Sequence, residues 1–264
     1  MFFDTYKFRA SQLPALMTGT SGLTDKQLEE LFTLENKETL TEKQEIRLAE
    51  LIDKRDNPVL SETVKTLLKE IWIQEKYNRK QIIVSKYLEK GTNQEPESIS
   101  LYRKATQEFC QKNEERFESE FLCGTPDLII ADKVVDIKTS WNIWTFAKSD
   151  QDSAKKDYYY QLLAYMILTG KTKSQLAYCL INNSEYTIYQ EVQKIKFAYG
   201  LSDEKDGQQL DEIENQINLN NTYDDIPVQE RVKIFEFELD PDEVTKVETQ
   251  LKACREYLNS LTTL

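Results

Sequence analysis

Gly124-Thr-Pro-Asp127-Leu-Ile-Ile-Ala-Asp-Lys-Val-Val-Asp136-Ile-Lys138-Thr-Ser140 is the stretch whose reading decides the fold. Leu128–Ile130 and Lys133–Lys138 are short runs joined by the turn-like Ala131-Asp132, so they read as paired strands of a hairpin or meander. Side chains alternate along a strand, so Asp136 and Lys138 share one face while Ile137 packs on the other. Charges set among Val134, Val135 and Ile137 lose hydration, which costs several kcal/mol unless something compensates. Asp127 sits where a hairpin partner brings its carboxylate next to Asp136. Two carboxylates converging on one point repel each other unless a hard divalent cation lies between them.

With such a cation the stretch becomes chemically coherent. Asp127 and Asp136 supply oxygen ligands and the Ile137 backbone carbonyl adds a third. Mg²⁺ so held keeps waters and can take a phosphate. Lys138 then either positions or deprotonates a nucleophilic water, or neutralises charge on a phosphorane. The pattern suits phosphodiester hydrolysis.

Upstream, the first 90 residues read as helical. Thr24-Asp-Lys-Gln27 and Thr41-Glu-Lys-Gln44 are capping boxes. A longer helix follows Ser61 with Val64, Leu67, Leu68, Ile71 and Trp72 on one face. Residues 64–90 carry a net charge of +4. Gly91 is expected to end that helix, and Thr92-Asn-Gln-Glu95 to cap the next one, over residues 94–112. Downstream, a polar loop over 148–157 is expected before an amphipathic helix that stops at Gly170. A strand over 175–181 follows, then a polar stretch over 201–228 with one weak helix. A strand over 233–239 and a final helix capped by Asp240 complete the chain.

Composition excludes much else. The 264 residues carry a net charge of −12, and 201–226 holds eight acids against Lys205 alone. A basic coat protein is therefore excluded, a local basic site is not, and the acidic segment is expected to lie outside any DNA path. The absence of His removes His triads and His zinc sites. Cys110, Cys123, Cys179 and Cys254 form no C-x-x-C pair and read as thiols in a reducing cytoplasm. No Walker A motif occurs, so unwinding would need a partner.

Pro126-Asp127 with Asp136-Ile-Lys138 resembles the signature of the PD-(D/E)XK nuclease superfamily. Tyr160-Gln161-Leu-Leu-Ala-Tyr165 is similar to the Q-x-x-x-Y helix motif of its RecB-related branch, which holds the lambda-exonuclease-like and YqaJ-type enzymes. Gly91-Thr-Asn-Gln-Glu95 resembles that branch's G-x-x-x-E helix start, and the order and spacing agree across residues 91–182. The resemblance implies a site made of Glu95, Asp127, Asp136, Lys138, Gln161 and Tyr165. Metal ligation would fall to Glu95 (or its neighbour Glu97), Asp127, Asp136 and the Ile137 carbonyl. Phe8-Arg-Ala-Ser11-Gln-Leu-Pro-Ala-Leu16 is similar to a phosphate-contacting helix start, with Ser11 as N-cap. Thr125 occupies a second position where that branch sets a hydroxyl on phosphate. Trp141, Trp144 and Phe146 read either as base-stacking or wedge residues or as core and lid packing.

The implied fold is α/β: a restriction-endonuclease-like core, with a mixed central sheet flanked by helices, and a helical N-terminal region. It forms one domain, divided into 1–90 (helical region), 91–200 (catalytic core), 201–228 (acidic insertion) and 229–264 (last strand and helix). The implied function is a Mg²⁺-dependent deoxyribonuclease, with Mn²⁺ substituting, that trims duplex ends for recombination or repair. A structure-specific or restriction-type endonuclease on the same core is the alternative, and a catalytically idle DNA- or partner-binding module is another. The implied partners are DNA, a single-strand annealing recombinase and further copies of the chain, with no membrane. No iron–sulfur cluster is expected, because Cys254 alone lies where cluster-bearing relatives have a run of cysteines. The expected location is the cytoplasm, that of the host if a phage encodes the chain.

Overall fold

Apolar residues at helical spacing build the N-terminal part of the computed structural model, which describes residues 2–18, 23, 25–56, 59–82, 85–202 and 205–263. A short strand, β1 (Phe8–Arg9), a 3-10 turn (Ala10–Gln12) and one helical turn, α1 (Leu13–Leu16), come first. They precede α2 (Asp25–Glu35), α3 (Glu42–Asp56) and α4 (Glu62–Tyr77). Thr24, the expected cap of α2, lies outside the described residues. Before α3, the Thr41 N–H donates to Gln44 Oε1 at 3.1 Å, one half of the expected capping box. Ser61 Oγ accepts from the Val64 N–H at 3.3 Å and opens α4, whose Val64, Leu68, Ile71 and Trp72 are buried on one face.

The helix expected to run on to Gly91 stops at Tyr77, because Asn78 takes a left-handed conformation (φ 51°). The chain restarts as α5 (Lys86–Asn93) and continues as α6 (Glu95–Thr106). Gly91 and Thr92 therefore lie inside α5: neither ends nor caps a helix, and Gln94 occupies the junction. Pro96 is tolerated in the first turn of α6, where its missing N–H is not needed. Gln107 (φ 60°) closes α6 six residues short of the expected end.

Two sheets follow. β2 (Phe117–Glu118) and β1 flank β3 (Leu122–Gly124), antiparallel and parallel respectively. The larger sheet has the order β4 (Leu128–Ile130), β5 (Lys133–Thr139), β6 (Lys173–Cys179), β7 (Val232–Glu238). β5 and β6 are parallel and the two outer pairs antiparallel, the mixed sheet that the sequence announces. Parallel neighbours need a crossover, supplied here by α7 (Ile143–Lys148) and α8 (Gln151–Thr169).

The polar loop expected over 148–157 is mostly helix. Asp150 accepts from the Ser153 N–H at 2.8 Å and starts α8 at Gln151. Nor is α8 simply amphipathic: Gln161 through Met166 are all buried, because it packs on the large sheet and also on β3 and α1. The segment after β6, for which no element was expected over 185–199, forms α9 (Glu185–Tyr199) and then α10 (Gly207–Asn221). The acidic stretch is thus more than a loop. Leu210, Ile217 and Tyr223 are buried, and Asn221 Oδ1 accepts from Asn183 Nδ2 in the loop after β6. The last helix, α11 (Pro241–Ser260), is capped by Asp240 as expected and buries Val247, Leu251, Cys254 and Leu258 among the residues of α4 and α1.

The large sheet is covered on both faces. Val134 packs with Leu163, Ala164 and Met166 of α8, while Val135 and Ile137 pack with Ile99 and Tyr102 of α6. Each fully buried aliphatic side chain here contributes about 1.5–3 kcal/mol. Where β3 ends, α8 approaches so closely that a Cβ at Gly124 would lie 2.9 Å from Tyr165 Cε1 and 3.0 Å from the Ala10 Cβ. We expect Gly124→Ala to destabilise the fold by about 1–3 kcal/mol through overpacking. A urea midpoint unchanged from wild type would contradict this close approach.

Candidate active site

The β4–β5 ladder aligns Leu128 with Val135, so its continuation sets Asp127 across from Asp136. Directly opposite residues of an antiparallel pair share a face, which brings the two carboxylates together as the hairpin predicts. Asp127 Oδ2 accepts the Ile137 N–H at 2.6 Å, and Asp136 is only 2% exposed. Two positions along β5, Lys138 Nζ lies 2.7 Å from Asp136 Oδ2 and 4.8 Å from the centroid of the Tyr158 ring.

α8 closes the arrangement. Gln161 Nε2 donates to Asp136 Oδ1 at 2.9 Å and lies 3.2 Å from Tyr165 Oη. Tyr158, Gln161 and Tyr165 recur at helical spacing, so one face of α8 addresses Asp136 and Lys138 together. Glu95, the first residue of α6, lines the same cleft, which has a volume of about 650 Å³. Its Oε1 pairs with Lys112 Nζ at 2.9 Å. Glu97 lines a separate depression with Lys104 and Arg231, so of the two candidate acids Glu95 faces the cleft.

The electrostatics are strained in a specific sense. Burial, then the neighbouring Asp136 carboxylate, pushes the Asp127 carboxyl up to about 7, against the opposing pull of the Ile137 N–H. For Lys138, burial works against the ammonium. The Asp136 charge outweighs it, and the lysine is held above its ordinary range. Of the roles the sequence leaves open for Lys138, that favours a fixed cation. Asp136 Oδ2 and Glu95 Oε1 are shut off from solvent, yet neither receives a well-directed hydrogen bond; their ammonium neighbours make ion-pair contacts only. Acceptors left open in this way, with oxygen as the only donor type, suit a hard divalent cation. Asp127 and Asp136 could hold it. Among the described residues no three carboxylates or thiols already stand at ligand spacing, and Glu95 is engaged with Lys112. The four cysteines are buried and free.

Ser11 does not cap a helix. It lies within the 3-10 turn, whose N-cap position is Arg9, and the Arg9 N–H donates to Gln12 Oε1 at 2.9 Å. The unforeseen β1–β3 pairing carries the strand straight into that turn, and α1 is left with four residues. Ser11 and Thr125 are both exposed and lie outside the cleft lining. The parallel register Arg9 opposite Cys123 runs on towards them, so they lie at the same end of the β1–β3 pair. Phe146 is core, packed with Leu180 and Tyr223, while Trp144 is 53% exposed and Trp141 lines the cleft.

Sequence reasoning missed Tyr158, Tyr87 and Lys90, all of which line the cleft. Tyr158 stands one turn before Gln161, a usable signal hidden by the run Tyr158-Tyr-Tyr160. Lys90 reads as one more charge on a solvated helix, but it is 6% exposed and burial lowers it to about 8.

No protein-family model and no curated protein sequence matches this chain. Solved structures do share its fold. A phage-related exonuclease from Haemophilus somnus 129PT is similar at a TM-score of 0.64 and 19% identity, over 97% of this chain and 94% of that one. An alkaline exonuclease from Laribacter hongkongensis is similar at 0.57 and 14%, over 98% and 92%. The latter is also solved in complex with dAMP, similar at 0.55 and 14% over 98% and 91%. At these identities the likeness establishes a common fold across nearly the whole chain.

The raised Asp127 carboxyl has a measurable consequence. Between 3.8, its ordinary value, and about 7, the folded chain keeps a proton that the unfolded chain releases. The stabilisation from that proton is complete below 3.8 and lost as pH rises through about 7. In EDTA, unfolding free energy should therefore fall over this window, and fall less steeply in Asp127→Asn. Equal slopes for the two proteins would contradict the assignment.

Proposed function

We propose that this chain is a Mg²⁺-dependent deoxyribonuclease, with Mn²⁺ able to substitute, which removes nucleotides from the ends of duplex DNA. One observation carries the reading: a buried Asp136, braced by Gln161 and faced by Asp127 and Lys138, opens into a single cleft. It lies in a fold shared with two exonucleases, one of them solved with dAMP. The pattern resembling the PD-(D/E)XK signature falls on these same residues.

When bound, a divalent cation activates water and offsets charge on the phosphodiester. Every other role belongs to side chains. Asp127 and Asp136 would hold the cation, with the Ile137 carbonyl as a further oxygen; Glu95, now paired with Lys112, would be available to it only if released from that pair. The Gln161 N–H fixes Asp136 Oδ1, which leaves Oδ2 facing Lys138, and Tyr165 Oη in turn restrains the Gln161 amide. Lys138, held as an ammonium, stabilises the negative charge that gathers on phosphate oxygens in the transition state. Ser11 and Thr125 offer hydroxyls to a phosphate at the end of the β1–β3 pair. Work on duplex ends fits a role in recombination or repair, beside a single-strand annealing recombinase and as an oligomer of this chain. Among the described residues no helix is long and apolar enough to cross a membrane.

Linear duplex should be digested from its ends with Mg²⁺ and survive in EDTA, while a covalently closed circle survives in both. Nicking of the circle or discrete internal fragments would hand the site to an endonuclease. Asp136→Asn should lower kcat/KM by roughly a thousandfold, as loss of several kcal/mol of transition-state stabilisation requires. Gln161→Ala, which removes only the brace, should cost roughly 10–100-fold, the range typical of residues that orient a metal ligand. Wild-type rates in either variant would overturn the reading.

A further inference from the structure

Two rings at the mouth of the cleft take no part in bracing the carboxylates. Trp141 follows β5 directly and Tyr87 lies on α5; their rings meet edge to face with centroids 5.0 Å apart. Both line the cleft that contains Asp136 and Lys138, and Tyr87 is 58% exposed. The backbone that carries Trp141 is clamped by buried donors. Its carbonyl accepts from Lys90 Nζ at 3.0 Å and from Asn183 Nδ2 at 3.2 Å. Lys90 also donates to the carbonyls of Ser140 at 2.8 Å and Ile181 at 3.4 Å.

Taking an ammonium out of water to hold three carbonyls is costly. What it secures is the exit of the candidate catalytic strand, and with it the position of the Trp141 ring. Cations surround that ring, with Lys86 Nζ 4.4 Å and Lys90 Nζ 5.8 Å from its centroid. Trp141 lies three positions after Lys138 along the chain, a backbone span of at most roughly 11 Å. A phosphate at Lys138 therefore brings the nucleobases beside it within reach of the ring.

We propose that Trp141 and Tyr87 form a stacking subsite for a nucleobase of the DNA strand engaged at Asp136 and Lys138. This deepens the nuclease reading and rests on it. Every base presents a π-face, so the subsite accepts any sequence, as removal of successive nucleotides requires. Lys86 Nζ stands over both rings, 4.4 Å from the Trp141 centroid and 5.3 Å from that of Tyr87, so an arriving base takes its place and the displaced ammonium pairs with the flanking phosphate. Trp141 and Tyr87 are binding residues here, and the chemistry stays with the carboxylates and Lys138.

The test measures binding without turnover, in the full chain carrying Asp136→Asn. The probe is an end-labelled duplex with a short single-stranded end, made in two forms: intact, and abasic at its terminal nucleotides. Fluorescence anisotropy is read with Trp141→Ala, Trp141→Phe or Tyr87→Ala added. Trp141→Ala should weaken binding of the intact end about tenfold, as expected for loss of one aromatic–base stack, and Trp141→Phe should weaken it less. On the abasic end Trp141→Ala should cause no further loss. Tyr87→Ala, at an exposed position, should repeat the contrast even if Trp141→Ala fails to fold. Equal loss on both ends, or none on the intact end, would overturn the subsite. Digestion by the wild-type chain judges the nuclease reading separately. Digestion without the base contrast overturns the subsite alone; the contrast without digestion overturns the nuclease reading alone.

Discussion

Burial of the Asp136 carboxylate between β5 and α8, at 2% exposure, is the constraint on which the rest of the site depends. Stranded there, it would cost several kcal/mol, so each neighbour can be understood by how it offsets that cost. Gln161 donates to one oxygen, and Lys138 stands against the other. To deliver Gln161, α8 must lie flat on the sheet, which is why Gln161 through Met166 are buried and why Gly124 has room for no side chain. The parallel pairing of β5 with β6 follows too, since only a crossover connection lays a helix across the strand that precedes it. The compensation remains incomplete: Asp136 Oδ2 lacks a directed hydrogen bond and Asp127 is pushed towards neutrality. That under-compensated negative charge is what the proposed cation would offset.

Much of this was legible in the sequence, for identifiable reasons. The β4–β5 hairpin announced itself because alternation and a two-residue turn fix both face and register, and Asp127 does stand across from Asp136. The spacing of Gln161 and Tyr165 was equally readable, since a helix repeats every 3.6 residues whatever packs on it. The failures share no single cause. Asn78 and Gln107 end their helices in left-handed conformations; asparagine takes that conformation readily, so its stop was signalled and overlooked, while nothing local marks Gln107. β1 has two residues and exists only because β3 pairs with it. Ser11 therefore sits in a turn, not at the head of a helix, and no local pattern could show that. Lys90 looked like a solvated charge because burial is decided by where β5 and β6 end, not by its neighbours in sequence.

Charge is divided unevenly within the cleft: the acids Glu95, Asp127 and Asp136 line it together with Lys90 and Lys138. The net charge is −12, yet Lys86 and Lys90 stand at the Trp141 ring and Lys138 at the Tyr158 ring. At physiological salt, charges beyond roughly 8 Å are largely screened, so the charges that line the cleft act most strongly within it. α10 itself is part of the framework. Asn221 is 4% exposed and bonded to Asn183, and Asn183 also donates to the Trp141 carbonyl. The acidic segment thus helps to set the cleft wall through a short chain of amide contacts.

The central claim is that Asp127 and Asp136 together hold a divalent cation. Anomalous scattering from crystals soaked in Mn²⁺ tests it most directly, because the ion is located without reference to activity. The account predicts a peak bounded by Asp127 and Asp136, with the Gln161 amide still donating to Asp136 Oδ1. Manganese found only elsewhere on the chain, with the Asp136–Lys138 ion pair intact and both carboxylates free of metal, would contradict it.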